Sequence, residues 1–233
     1  MARAALLVVG IVIGVAHSNP ADARKLSGWD LCFSESFPPD RRVATCSAHI
    51  RTITHAKASV LLSKAGVYGQ KGDYRHAVQD ATRSIKLEPS AEAYYTRALA
   101  YHNMGRDEAA IRDCNAALAI APDNENALFV RASAHQGKMD YSEAIQDFTN
   151  VLRLDPDRAD VFFARGAAYY GAADFERAAG DFSRAIKLGL VDEVVFYLRS
   201  LANSELGDGV NLDPDLQQQL ERHRARSIHR SSP

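Results

Sequence analysis

Apolar and small residues return along this chain every 33 or 34 residues. Within each period they are spaced so that a helix would carry them on one face. One register holds large residues, namely Leu61, Tyr94, Leu128 and Phe162. Two others hold small residues, namely Ala65, Ala98, Ala132 and Gly166, and Ala77, Ala110, Ala144 and Ala178. The pattern predicts two helices in each period. Because one such pair cannot bury its own apolar face, successive pairs must stack into a solenoid.

Short turns and prolines mark the ends of the predicted helices in the same register. The turns between the two helices of a period are Gly72-Asp73, Gly105-Arg106, Met139-Asp140 and Ala173-Asp174. Pro89, Pro122 and Pro156 follow the second helix, where proline stops one hairpin before the next begins, and Leu190 takes this place in the fourth period. The sequence therefore predicts four hairpins over residues 58–190 and a further first helix that completes a repeat region of 58–206.

This agreement of small, aromatic, turn and proline positions resembles the tetratricopeptide repeat family. The resemblance implies an all-α fold, a right-handed superhelical solenoid of antiparallel helix pairs. It also implies a concave groove that holds a peptide or another protein. We therefore expect a non-enzymatic protein-binding or scaffold module whose partner the sequence does not identify.

The chain begins with a segment typical of a secretory signal peptide. Arg3 supplies the positive start, and the apolar stretch 4–16 that follows is too short for a membrane span, which needs about 20 residues. Ala21-Asp22-Ala23 offers a cleavage site, so we expect residues 1–23 to be removed. This predicts export to the periplasm of a bacterial envelope, with an uncleaved anchor or a buried N-terminal helix as the alternatives.

Residues 24–57 are predicted to form an N-terminal capping segment, in which 41–50 match the second helix of a repeat. Cys32 and Cys46 are close enough in sequence for a disulfide, which would stabilise the cap by about 3 kcal/mol. Two free thiols in a cytosolic protein are the alternative. Cys114 falls at a core position of its repeat and is expected to be an inert buried thiol.

Charge changes this picture only at the C-terminus. The net charge is -1, which gives no electrostatic case for nucleic acid or membrane binding. Residues 207–233 are predicted to form a final helix and a basic tail. The tail carries Arg222, Arg224, Arg226 and Arg230. The tail is either solvated or docks on an anionic polymer. The second interpretation gives an alternative function, an envelope assembly factor in which the tail binds the polymer and the repeats act only as a spacer.

Oppositely charged residues also recur 16 positions apart inside the repeats. These pairs are Arg97 with Asp113, Arg131 with Asp147, and Arg165 with Asp181, and Lys64 with Asp80 repeats the arrangement. A catalytic pair would be needed only once, whereas an ion pair that fixes repeat stacking would recur in every unit. We therefore predict a structural role for these charges.

The best candidates for a binding surface are aromatic residues in the first helices. Tyr95, Phe129, Phe163 and Tyr197 each come one residue after the large buried position or its counterpart, and His102 and Tyr170 lie seven residues further along two of these helices. One residue turns a helix by about 100°, which moves these side chains towards the concave groove of the family. Exposed aromatic residues anchor apolar or proline-rich segments, although the same rings could instead pad the helix packing.

Other chemistry is not indicated by the sequence. Ser63, Gly66, Thr96 and Leu99 stand where family members that grip a C-terminal carboxylate carry basic residues or asparagine, so that ligand is disfavoured. Phosphate-binding, zinc-protease, CxxC and GxSxG motifs are missing, and the histidines lack ligand spacing. We expect no catalytic residues, metal or cofactor, and no stable membrane span after signal removal. The sequence leaves self-association open.

Overall fold

The computed structural model describes residues 39–207, and over this range it contains nine α-helices and no strand. The helices are α1 Pro39–Gln70, α2 Tyr74–Leu87, α3 Ala91–Asn103, α4 Asp107–Ile120, α5 Glu125–Gly137, α6 Tyr141–Leu154, α7 Ala159–Gly171, α8 Phe175–Lys187 and α9 Glu193–Glu205. The predicted signal peptide and the arginine-rich tail lie outside the described residues. The predicted disulfide does so as well, because neither Cys32 nor the side chain of Cys46 is described.

The chain divides into two compact units, residues 1–55 and 56–233. The described part of the first unit is the N-terminal part of α1. This helix is continuous over Pro39–Gln70, so 41–50 do not form a helix of their own. The physical reason is visible in the sequence, because no glycine or proline occurs between Pro39 and Gly66 to interrupt the helix. Position 57/58 lies inside this helix, and the predicted domain division there stays a prediction.

Within the second unit, each helix from α2 to α9 packs against the next one along the chain. The first helices of successive pairs also contact one another, α3 with α5, α5 with α7 and α7 with α9. These contacts make one continuous face from the first helices. The predicted all-α solenoid of stacked helix pairs is confirmed. Across residues 39–207, no helix has the length and apolar character required to cross a membrane.

The turn that closes each hairpin has the same backbone geometry in every repeat. A left-handed residue occupies it, namely Gly72 (φ 76°), Gly105 (67°), Met139 (65°) and Ala173 (59°). Gly207, which follows α9, has a similar φ of 79°. In the fourth repeat the N–H of Asp174 then donates to the Tyr169 carbonyl at 2.9 Å, which satisfies an otherwise open carbonyl at the helix end. The glycines adopt this backbone without strain, whereas Met139 and Ala173 do so at a cost.

The core differs from one repeat to the next although the backbone repeats. Phe148 and Phe182 are fully buried at one position of the third and fourth repeats, where the second repeat has Cys114 and the first has Ala81. At Gly166 an added Cβ would lie 2.9 Å from Phe182 Cε1, so only glycine fits against this ring. The large rings therefore concentrate in the C-terminal repeats.

Candidate functional site

The repeated charges form bidentate ion pairs between the two helices of one hairpin. Arg97 Nε lies 2.6 Å from Asp113 Oδ2, and its Nη2 lies 2.7 Å from Oδ1. The same two bonds join Arg131 to Asp147 and Arg165 to Asp181. These hydrogen bonds raise the pKa of each arginine above its ordinary value. The aspartates are buried, so the pairs belong to the protein interior.

Each of these arginines also donates to the second helix of the preceding repeat. The acceptors are Thr82 Oγ1 for Arg97 at 3.0 Å, Asn115 Oδ1 for Arg131 at 2.6 Å, and Thr149 Oγ1 for Arg165 at 3.1 Å. One guanidinium thus connects three helices. This geometry stabilises the stacking of neighbouring repeats. The charged groups of these arginines and aspartates interact with one another rather than with a ligand.

The first repeat has a weaker version of this link. Lys64 Nζ lies 3.1 Å from Asp80 Oδ2, and Arg83 Nη1 lies 3.2 Å from Asp80 Oδ1. Both cations are mostly exposed, whereas Asp80 is buried. An ammonium group cannot reproduce the planar two-bond contact of a guanidinium. The N-terminal repeat is therefore held less rigidly by charge than the three that follow.

The four predicted groove aromatics do not share one environment. Phe129 packs on the core ring of Phe148 with centroids 5.5 Å apart, and Phe163 packs on Phe182 at 5.9 Å. Tyr95 is half-buried beside the smaller Cys114 cluster, and burial raises the pKa of its hydroxyl. Tyr197 is 64% exposed. Two of the rings thus serve internal packing as well as any surface role.

His102 and Tyr170 are engaged across the turns of their own hairpins. His102 Nδ1 lies 2.7 Å from Asp107 Oδ1, and the Tyr170 ring meets Phe175 edge to face at 5.2 Å. In both cases the partner lies five residues further along, at the start of the second helix. Sequence spacing placed these side chains on a face but could not show that the second helix covers part of them.

A cavity of about 360 Å³ lies between α1, α2 and α3. Its lining includes Gly66 and Gly69 on α1, Tyr74 on α2, and Tyr95 and Leu99 on α3. No lining residue carries a charge at neutral pH. Of the predicted groove residues, only Tyr95 lines this cavity. The sequence signal for this cavity was the pair of glycines inside a helix. Glycine destabilises a helix interior, so it is expected there only where packing or binding requires a missing side chain.

Acidic residues lie on the same helices as the aromatics. Asp160 is bound by both Arg158 Nε at 2.8 Å and Nη2 at 2.7 Å, and this contact lowers the pKa of Asp160. The Arg158 guanidinium also lies 5.7 Å from the centre of the Phe129 ring. Glu92 is exposed one turn before Tyr95. The charge near Phe129 is thus partly compensated within the protein.

Cys114 is fully buried, and burial raises the pKa of its thiol to about 12. The predicted buried thiol is confirmed, and it stays protonated and unreactive at neutral pH because the thiolate is the nucleophilic form. Among residues 39–207, no cluster of three or more histidine, cysteine or acidic side chains has the arrangement of a metal site.

Comparison with protein families identifies the repeats directly. Models described as tetratricopeptide repeat match residues 58–90 and 91–124, and a model described as TPR repeat matches residues 140–172. The predicted tetratricopeptide repeats are confirmed at these positions. The fold and the repeats together define a repeat module of the class used for protein interaction.

Solved structures show the same fold. MamA from Desulfovibrio magneticus RS-1, from residue 41 to its end, superposes with a TM-score of 0.61 at 17% identity, over 74% of this chain and 94% of that one. A crystal structure of MamA gives a TM-score of 0.64 at 17% identity, over 70% and 96%. The first TPR domain of the human RPAP3 protein gives 0.50 at 26% identity, over 52% and 95%.

Three curated relatives are similar over 22–50% of this chain. Bacteriophage adsorption protein A of Escherichia coli (strain K12) is 46% identical over 50 residues, 22% of this chain and 5% of that protein. Sperm-associated antigen 1 of Rattus norvegicus is 44% identical over 57 residues, 24% and 6% of the two chains. Ethylene-overproduction protein 1 of Arabidopsis thaliana is 29% identical over 120 residues, 50% and 12%. The chain thus spans a small fraction of these relatives' length.

Proposed function

We propose that this chain is a non-enzymatic binding or scaffold module that holds a peptide or protein segment along the face of its first helices. The cavity beside Tyr95 carries the proposal, since it is an open, uncharged recess on that face. Its volume of about 360 Å³ falls within the range of about 300–1,000 Å³ typical of ligand sites. A repeat module whose first helices form one face presents such a recess to an extended partner.

The site of action in this proposal is the bacterial envelope, on the periplasmic side. The support is the leader-like start of the sequence, with Arg3, the apolar stretch 4–16 and the small residues before Arg24. A protein segment is the favoured ligand class because the first helices carry aromatic residues and the cavity lining is uncharged. The absence of a basic clamp at Ser63 and Thr96 favours an internal segment over a chain end.

The structure changes which substitutions test this function best. Alanine at Phe129 or Phe163 would remove a ring that packs on the core, so lost binding would be confounded with lost stability. Tyr197 is 64% exposed, so its ring can be removed with little loss of packing. Leu99 is 37% exposed and lines the cavity, so a charge there would oppose an apolar ligand. The test variant therefore combines Leu99→Glu with Tyr197→Ala. Its matched control is Ile120→Glu, which alters an apolar residue of 53% exposure outside the cavity lining.

The experiment is a crosslinking pull-down from bacterial envelope extract with the full chain, the double variant and the control. Circular dichroism first establishes that all three have the same helix content. We expect specific partners to be captured by the unaltered chain and by Ile120→Glu, and to be lost from the double variant. Identical captures by all three would contradict binding along this face.

A further inference from the structure

Gly66 and Gly69 line one side of the cavity between α1, α2 and α3, here called its floor. Packing within the fold does not explain these two glycines. Gly66 and Gly69 lie in the last turns of α1, in helical backbone, and an added Cβ at either position would meet nothing within 4 Å. Glycine destabilises a helix relative to alanine. Neither a left-handed turn nor a crowded neighbour therefore accounts for these two glycines.

Glycines elsewhere in the first helices are explained by neighbouring side chains that leave no room for a Cβ. An added Cβ at Gly137 would lie 2.5 Å from Asp107 Oδ2, and one at Gly171 would lie 2.5 Å from the Tyr141 ring. Those residues are small because a neighbouring side chain fills the space. At Gly66 and Gly69 the same type of residue instead opens onto an empty recess. A close approach by a group other than the described residues 39–207 is one physical use of the missing side chains.

The corresponding positions of the other repeats each carry a side chain. Gly66 is followed in the repeat register by Leu99, Ser133 and Ala167, and Gly69 by His102, Gln136 and Tyr170. In the fourth repeat Tyr170 packs against Phe175 and so occupies its own hairpin. The open floor thus distinguishes the junction of the first and second repeats from the junctions that follow.

The chemistry of the recess selects the kind of side chain it can accept. Leu99, Tyr74 and the carbon atoms of Ala65 and Ala77 offer apolar contact, and no lining residue would compensate a buried charge. Transfer of a charged group into such surroundings is strongly unfavourable, so the complement is an uncharged apolar side chain. Burial raises the pKa of the Tyr95 hydroxyl, which keeps that wall neutral as well.

Polar groups at the same cavity suit a peptide backbone. Asn103 Nδ2 donates to the Leu99 carbonyl at 2.8 Å, which fixes the side-chain amide and leaves its Oδ1 able to accept from a ligand N–H. Gln70 and Thr96 also line the cavity and supply further neutral donors and acceptors. Neutral amides and hydroxyls match an uncharged main chain in the way that the apolar walls match its side chain.

We infer that this cavity is an anchoring pocket for one aliphatic side chain, of leucine, isoleucine or methionine type, of an extended peptide whose backbone lies against Gly66 and Gly69. The inference rests on the proposed function and makes it specific, since the first two repeats would determine which side chain of the ligand is bound. Filling the floor from within would then abolish anchoring. Gly69→Leu places a side chain there, and its Cβ would meet nothing within 4 Å.

The test is an NMR titration of the full, ¹⁵N-labelled chain with three blocked five-residue peptides that carry leucine, lysine or aspartate at the centre and glycine and serine elsewhere. The signals followed are the backbone amide of Gly66 and the side-chain amide of Asn103. We expect saturable shifts with the leucine peptide and roughly tenfold weaker binding of the two charged peptides. Gly69→Leu should lose the shifts. Gly180→Leu should keep them, because Gly180 lies on α8, also with nothing within 4 Å of its Cβ.

Three results would overturn the inference. They are equal shifts with all three peptides, shifts that persist in Gly69→Leu, and no shift with the leucine peptide at concentrations on the order of 10 mM. The pull-down separates this failure from a failure of the proposed function. Partners that are lost from the Leu99→Glu, Tyr197→Ala variant but retained by Gly69→Leu would leave groove binding intact and remove only the anchoring pocket.

Discussion

The N-terminal and C-terminal halves of the repeat array use one backbone plan with different side-chain volumes. In the third and fourth repeats, Phe148 and Phe182 fill the core position and pair with Phe129 and Phe163 on the first helices. In the second repeat the core position holds only Cys114. The later repeats thus bury aromatic pairs, whereas the earlier ones do not.

The first repeat also differs from the three that follow, both at the groove face and in its ion pair. The cavity lies where α1 meets the second repeat, and the ion pair of the first repeat uses Lys64 in place of an arginine. Close packing makes a rigid array but leaves no room for a ligand. A repeat protein can therefore place stability and ligand recognition in different repeats. The comparison suggests that the C-terminal repeats supply stability and the N-terminal ones supply recognition.

The sharpest test of this division is the loss of one core ring. Phe182→Ala should lower the free energy of unfolding by about 3–5 kcal/mol, because it empties a fully buried site that also contacts Phe163. Cys114→Ala at the same register should cost about 1 kcal/mol. Urea unfolding followed by circular dichroism measures both. Equal losses would mean that the two halves contribute alike to stability.

Opposite signs are expected for one substitution in the two halves. Gly166→Ala should destabilise by about 1–3 kcal/mol, because its Cβ would lie 2.9 Å from the buried Phe182 ring. Gly66→Ala should stabilise by about 0.5–1 kcal/mol, since the helix gains alanine and nothing is displaced. Thermal unfolding of the two variants beside the unaltered chain gives the sign directly. A loss of stability in Gly66→Ala would show that the cavity is smaller than described.

The repeats were predictable from the sequence because several positions agree in each of four units. The turns at Gly72 and Gly105, for example, carry the residue that a left-handed backbone requires. The cavity was not predictable in this way. Whether Gly66 is covered depends on what a neighbouring helix brings to it, which is a property of stacking rather than of local sequence. Tyr170 shows the same limit, since its ring rests on Phe175 across a turn.

The ion pairs give a further contrast, between the first repeat and the three that follow. Arg131→Lys should cost about 1–3 kcal/mol, because lysine cannot keep both bonds to Asp147 together with the bond to Asn115. Lys64→Met should cost less than Arg131→Lys, because Lys64 is 53% exposed and Arg83 still contacts Asp80. Urea unfolding at two salt concentrations is the measurement. A larger loss at Lys64 than at Arg131 would contradict the weaker charge link of the first repeat.

The smallest expected effect concerns the turns, which repeat in both halves but with different residues. Met139 has a φ of 65° in the third repeat, and Gly105 has 67° at the same place in the second. Because a side chain is strained in this region, Met139→Gly should stabilise by about 1 kcal/mol, less the entropy that glycine adds to the unfolded chain. Gly105→Met should destabilise by a similar amount, and thermal unfolding compares the two. If both changes lower stability, then Met139, although 73% exposed, contributes contacts that outweigh its strained backbone, and the tight packing of the C-terminal half extends to its turns.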